Sequence, residues 1–151
     1  MRKPTLTLVL STVLLAPMSF AADKRSEAAA ESREGIFEVI RMYFGPVLGM
    51  VRGQIEFDGQ VVSHNATKIS QLAAMIADAY RYDTSDTDVE TEALDAIWDN
   101  IEDFNEKAAA LVSAADNLAV AGAADLAATR QAFGAVGQSC KGCHDDYRQQ
   151  D

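Results

Sequence analysis

Asp125-Leu-Ala-Ala-Thr-Arg130-Gln-Ala-Phe133-Gly-Ala-Val136-Gly-Gln-Ser-Cys140-Lys-Gly-Cys143-His144-Asp-Asp-Tyr147-Arg-Gln149 decides how the chain folds. Leu126, Arg130, Phe133, Val136, Cys140, Cys143 and Tyr147 recur every three or four residues, the spacing of one face of an α-helix. His144 belongs to the same stripe, so all three motif residues continue the apolar face. The two cysteines therefore share one helical turn, with a histidine immediately after them. Cys-x-x-Cys-His is the attachment pattern of c-type haem. Each thiol can add to one vinyl group of the porphyrin, and the following imidazole can ligate the iron. Cys140 and Cys143 are the only cysteines of the 151 residues, so no other thiols compete. A redox Cys-x-x-Cys, half of a zinc site and a structural disulfide are the rival readings. A redox motif would want a βαβ context, which is absent, and His64 is the only further candidate zinc ligand. Since the motif continues the apolar stripe, this helix is expected to point it into a helical bundle.

The N-terminus reads as a targeting segment. Arg2 and Lys3 precede an apolar run from Leu6 to Ala16, followed by small residues at Ser19, Ala21 and Ala22. The run is too short to span a bilayer. Cleavage after Ala21 or Ala22 leaves residues 23–151 as one domain, exported to the periplasm. Removing Arg2 and Lys3 takes 13 basic residues to 11 against 23 acidic, a formal charge of −12. Such a surface argues against nucleic acid or an anionic membrane as partner, and it could steer a basic redox protein.

Beyond the leader, Pro46 is the only proline, alanine is abundant and alternating β-branched runs are missing, which points to an all-α fold. Four helices are expected. Helix A runs over 26–50, with Arg33, Phe37, Ile40 and Phe44 on one face and a kink or break at Gly45-Pro46. Helix B runs over 58–81 with Asp58 as N-cap and Val62, Ile69, Leu72, Ile76 and Tyr80 inward. Helix C runs over 88–118, opened by a capping box of Thr87 and Glu90 and striped by Leu94, Ile97, Trp98, Ile101, Phe104, Leu111 and Val112. A turn at 119–124 leads to helix D over 125–149. Mostly short connections favour an antiparallel up-down-up-down four-helix bundle.

The extended string Cys140-Lys-Gly-Cys-His-Asp-Asp-Tyr147-Arg148, with Phe133-Gly-x-Val-Gly-x-Ser-Cys140 before it, resembles cytochrome c′. Ile97-Trp98 and Arg52-Gly53-Gln54 extend the resemblance over the whole mature chain. The resemblance implies covalent haem c on Cys140 and Cys143, with His144 as the axial iron ligand. It implies a basic residue, Arg148, beside the proximal pocket and Arg33 near the haem propionates, where a guanidinium pairs well with carboxylate. Glu34 is expected near the haem edge, and Thr91 and Glu92 are expected to approach the haem.

Alignment on Phe44-Gly45 and Arg52-Gly53-Gln54 places Phe37 at the distal position. The family commonly has leucine there, and its low-spin relatives of the cytochrome c-556 type have methionine. Phenylalanine cannot ligate iron. Met42 lies roughly 140° around the helix from Phe37, and Met50 falls beyond the expected break. The resemblance thus implies a five-coordinate, high-spin haem that binds nitric oxide or carbon monoxide at a crowded apolar site. No donor would stabilise dioxygen there. A six-coordinate electron carrier of the c-556 type is the alternative, and no distal acid–base residue supports an enzyme. The family commonly forms homodimers through helix A, where Met42, Tyr43 and Val47 could supply the patch. His64 reads as a surface histidine. Gly134 and Gly137 read as places of close approach for the haem or a neighbouring helix.

Overall fold

The computed structural model describes residues 18–150 by backbone and residues 24–150 by side chain. Most of the expected targeting segment, residues 1–17, lies outside the described residues. The chain forms α1 (Met18–Val51), α2 (Gly59–Ala73), α3 (Ile76–Ala79), α4 (Ala96–Asp99), α5 (Ile101–Ala124) and α6 (Leu126–Tyr147). The four long elements make a bundle in which α1 packs on α2 and α6, and α5 packs on α2 and α6.

Heptad-like stripes drive the packing. On α5 the buried residues are Phe104, Ala108, Leu111, Ala115, Leu118 and Gly122. On α6, Thr129, Phe133, Val136 and Tyr147 are buried, and the half-buried Cys140 and Cys143 pack against the core between them. These steps of three and four keep one seam facing its partner. The pairings run antiparallel. Phe104 at the start of α5 meets Tyr147 at the end of α6, and Thr129 at the start of α6 bonds to Ala121 O near the end of α5. Gly59, at the start of α2, meets Gly122. A Cβ at Gly59 would lie 2.3 Å from Gly122 O, and one at Gly122 would lie 2.6 Å from Val62 Cγ1. Only glycine lets the two backbones come so close.

The expected Asp58 cap is present, and two further helix ends are closed locally. Asp58 caps α2 by accepting from Gln60 N and Val61 N, and Asp125 caps α6 by accepting from Ala128 N. Gly53, at φ 71°, ends α1, with Gly53 N donating to Met50 O and Gln54 N to Gly49 O. That pair of bonds is a Schellman motif, which demands a residue comfortable in the left-handed region.

Other boundaries differ. α1 continues through Gly45-Pro46 to Val51 without the expected break. Both residues face solvent, so the carbonyl deprived of its N–H partner can turn to water, while buried Val47 and Met50 hold the helix beyond. Helix B divides: α2 stops at Ala73, and α3 is a single turn. Residues 81–95 are not the start of helix C. Asp83 accepts from Ser85 N, Thr84 O accepts from Thr87 N, and the segment around Glu92 pairs with the C-terminus. The Thr87–Glu90 capping box is therefore unused, and the helix begins at Ile101. The turn expected at 119–124 is helical to Ala124, so the chain reverses at Asp125 alone.

Candidate functional site

One interaction sets the register of α1 against α6. Phe44 stacks on Phe133 with ring centroids 4.6 Å apart, and about two turns further along α1, Arg130 Nε donates to Val51 O at 3.1 Å. Phe37 lies seven residues before Phe44 and Cys140 seven after Phe133. In antiparallel helices each step is about 10.5 Å toward the same end of the bundle. Phe37, half-buried and packed against the core, therefore comes level with Cys140. By the same register Arg33 comes level with His144.

Cys140 and Cys143 are free thiols, not a disulfide. Burial raises the pKa of both, that of Cys143 to about 11, so in the folded chain they are protonated and poorly nucleophilic. His144 does not share their burial. It is exposed on the flank of the stripe, a correction to the expectation that all three residues point inward. Enough protein surrounds its ring that desolvation, then the Arg148 charge, lowers its pKa, which favours the neutral imidazole that ligates metals. A Cβ at Gly137, seven residues before His144 on the same face, would meet nothing within 4 Å. That glycine, like Gly134, approaches no neighbouring helix, so the α6 surface beside His144 is clear for a flat ring.

Arg33 is 2% exposed. Its Nε donates to Ala79 O at 3.1 Å, one terminal nitrogen to Thr84 Oγ1 at 2.9 Å and the other to Tyr82 O. The guanidinium carbon lies 4.5 Å from the Tyr80 ring centroid and 5.2 Å from that of Trp98. No carboxylate stands within ion-pair distance among the described residues, and burial lowers its pKa. A buried cation held by neutral acceptors alone is costly. Three of its five N–H groups are used, so two can still meet an anion. The residues present thus fit a haem: two free thiols on one turn, an imidazole after them, a clear helix face and a buried guanidinium short of a counter-ion. What the sequence did not foresee is that Arg33 also fastens the 79–84 segment to α1.

The structure brings Glu92 and Arg148 together and leaves Glu34 apart. Arg148 Nε donates to Glu92 Oε2 at 2.7 Å, Leu94 N to Tyr147 O at 3.1 Å and Gln149 N to Glu92 O at 2.8 Å. Ala93 and Arg148 form an antiparallel bridge, and Gln150 Nε2 donates to His144 O. This clasp ties the turn carrying His144 to the segment before α4. Thr91 Oγ1 accepts from Ala93 N within it. The Arg148 hydrogen bond, then its charge, lowers the pKa of Glu92. Glu34 is exposed and makes no hydrogen bond or ion pair among the described residues.

Sequence reasoning missed an aromatic layer at this end. Tyr147, Phe104, Tyr80 and Trp98 follow one another with centroids 5.4, 4.7 and 6.2 Å apart. Trp98 Nε1 donates to Tyr80 O, and the Tyr147 hydroxyl donates to Asp103 Oδ2 at 2.5 Å. The apolar spacing already placed all four inward, but nothing distinguished Asp103 from the other carboxylates. His64 is at the surface, edge-on to Tyr43. Val47, offered as an exposed dimer residue, is wholly buried, whereas Met42 is 60% and Met75 52% exposed. No helix among the described residues is long and apolar enough to cross a membrane.

A protein-family model described as Cytochrome C' matches residues 28–148. Cytochrome c' of Cereibacter sphaeroides is 34% identical over 145 residues, covering 93% of this chain and 95% of that protein. A cytochrome c-556 of Agrobacterium tumefaciens is 32% identical, covering 78% and 94%. Among solved structures, cytochrome c prime of Shewanella frigidimarina superposes with a TM-score of 0.75 at 34% identity, covering 83% of this chain and 97% of that one. The Alcaligenes xylosoxidans protein, seen in mutant forms as a nitric oxide complex and with carbon monoxide bound, gives 0.74 at 31% identity, covering 83% and 97%.

Proposed function

The chain belongs to the cytochrome c′ family, whose members carry one covalently bound haem c, and from that premise we propose that it binds nitric oxide and carbon monoxide at an iron ligated by His144 alone. Cys140 and Cys143 form the thioether links. Arg33 meets a propionate with its two remaining N–H groups. Arg148, steadied by Glu92, stands on the His144 side, and Thr91 and Glu34 flank the haem edge. When bound, the haem supplies the iron centre to which a diatomic gas can bond. The chain's own part is to leave the sixth position without a protein ligand and to crowd it with carbon.

The observation that carries this reading is the register fixed by Phe44 and Phe133, which brings Phe37 level with Cys140. No methionine among the described side chains stands in a position to take its place. Met42 and Met75 face solvent, and Met50, though buried, lies 13 residues along the continuous α1, about 20 Å from Phe37 along the axis. An apolar distal ring offers no hydrogen bond to dioxygen, so the site favours the other two gases. The same haem can cycle between Fe(III) and Fe(II) with a basic redox partner drawn by the acidic surface. At the distal position the protein's part is to bind a gas. Export to the periplasm follows from the N-terminal segment, and pairing as a homodimer is assigned to exposed Val39 and Met42 on α1 and Met75 just before α3.

Absorption spectra of the ferric and ferrous protein test the reading. A high-spin ferric spectrum without a methionine–iron band, and gas adducts of the ferrous form, are expected. A six-coordinate, low-spin spectrum in both states would overturn it and establish the electron carrier of the c-556 type.

A further inference from the structure

Tyr147 is buried on α6, four residues after Cys143 and seven after Cys140, on the same face as both. Side chains four apart on a helix are neighbours. The phenol thus lies one turn from a thiol that, on the reading above, is bonded to the haem. Its hydroxyl donates to Asp103 Oδ2 at 2.5 Å. Lys107 steadies that carboxylate from 3.5 Å and reaches Asp146 at 3.2 Å. The hydrogen bond to Asp103, then burial, pushes the Tyr147 pKa up to about 12, so the proton stays on the phenol at neutral pH.

The aromatic layer is electrostatically graded. A ring that loses an electron becomes positive, so neighbouring anions ease the loss and neighbouring cations oppose it. Tyr147 bonds to a carboxylate. Tyr80 and Trp98, further along the row, lie beside the Arg33 guanidinium. The row is therefore easiest to oxidise at the Tyr147 end. A phenol that gives up an electron must also shed its proton, and Asp103 is already placed to accept it.

We propose that Tyr147 is a one-electron donor to the haem when hydrogen peroxide oxidises the protein, with Asp103 as the proton acceptor. The inference rests on the haem attachment proposed above. Starting from the ferrous protein, reducing one peroxide to two waters breaks its O–O bond and consumes two electrons and two solvent protons. One electron comes from the iron, which ends ferric. The other comes from Tyr147, whose O–H bond breaks as a new O–H bond forms on Asp103. The products are ferric protein, a neutral tyrosyl radical and a protonated carboxyl group. The protein thereby gains a peroxide-reducing reaction beyond gas binding.

Ferrous, haem-loaded protein is mixed with one equivalent of hydrogen peroxide, frozen rapidly and examined by electron paramagnetic resonance. An organic-radical signal is expected whose line shape changes when tyrosine is ring-deuterated. Tyr147→Phe loses it and Asp103→Asn lowers it, while Tyr80→Phe and Trp98→Phe keep it. Peptide mass spectrometry of the wild type, which does not depend on any variant folding, finds the oxidised tyrosine at position 147. Absence of an organic radical in the wild type, an undiminished signal in Tyr147→Phe, or loss of the signal in Trp98→Phe overturns the proposal. The carbon monoxide spectrum of the same samples separates the two readings. A normal adduct with the radical elsewhere overturns only this inference, whereas failure of the wild type to form the adduct strikes the gas-binding reading on which it stands.

Discussion

Arg33→Leu removes the side chain that fastens the 79–84 segment and, on the proposed reading, meets a haem propionate. The substitution strips partners from Ala79 O, Tyr82 O and Thr84 Oγ1, and Thr84 is only 4% exposed. A buried acceptor left unpaired costs about 1–3 kcal/mol, and the cation–π contacts with Tyr80 and Trp98 add about 0.5–2 kcal/mol. Against this, a buried guanidinium with no protein carboxylate beside it no longer has to be desolvated. With the two partly buried carbonyls relaxing toward water, the net loss is about 3 kcal/mol. At about 4 °C per kcal/mol for a chain of this size, the midpoint falls by about 12 °C. Thermal unfolding of the haem-loaded protein by circular dichroism measures it. The reduction potential is read on the same samples and falls, because an unpaired propionate favours the ferric state. Arg33→Lys keeps the charge but not the fork, so it lowers the midpoint while largely sparing the potential. A midpoint within a degree or two of the wild type refutes the fastening role, and an unmoved potential refutes the propionate contact.

Phe37→Ala relieves the distal crowding. Overpacking strain of about 1–3 kcal/mol is what an incoming ligand must otherwise overcome, so carbon monoxide association accelerates about 10–100-fold in flash photolysis; an unchanged rate removes Phe37 from the distal position. Gly122→Ala forces a methyl against Val62, 2.6 Å from Cγ1, and destabilises by about 1–3 kcal/mol in urea titration. Since Gly122 lies at the far end of the bundle, the gas-binding rates stay unchanged, and a change in them would contradict the assigned geometry. Glu92 has a folded-state pKa below its unfolded value, so its contribution is present above the unfolded pKa and lost as pH falls through the folded one. Glu92→Gln therefore flattens the acid limb of stability below the ordinary carboxylate range, and identical acid limbs would show that the Arg148 pair contributes nothing.

The long stripes were legible because they are local. Phe104 to Val112 and Phe133 to Tyr147 repeat in steps that only a helix in a bundle satisfies, and Asp58 announces the start of its helix. The attachment motif was legible for the same reason, since its chemistry depends on neighbours in sequence. The segment around Thr87 was not. Its capping box obeys a local rule, but Arg33, some fifty residues earlier, and Gln149, some sixty later, commit that stretch to extended and turn backbone. Pro46 misled in the opposite direction, because the packing of Val47 and Met50 outweighs one missing hydrogen bond. Tyr147 and Asp103 share no sequence signal at all; their bond exists because two antiparallel helices happen to end level.

The clasp between residues 92–94 and 147–149 also sets a time scale. Its two amide bonds, Leu94 N to Tyr147 O and Gln149 N to Glu92 O, close a ring of chain containing all of α4, α5 and α6. Neither can exchange with solvent deuterium without releasing the last turn of α6, the turn that carries His144. Those amides are therefore a built-in clock for the freedom of His144, the proposed axial ligand. Any event that pulls His144 away from its place is recorded as faster exchange at Leu94 and Gln149.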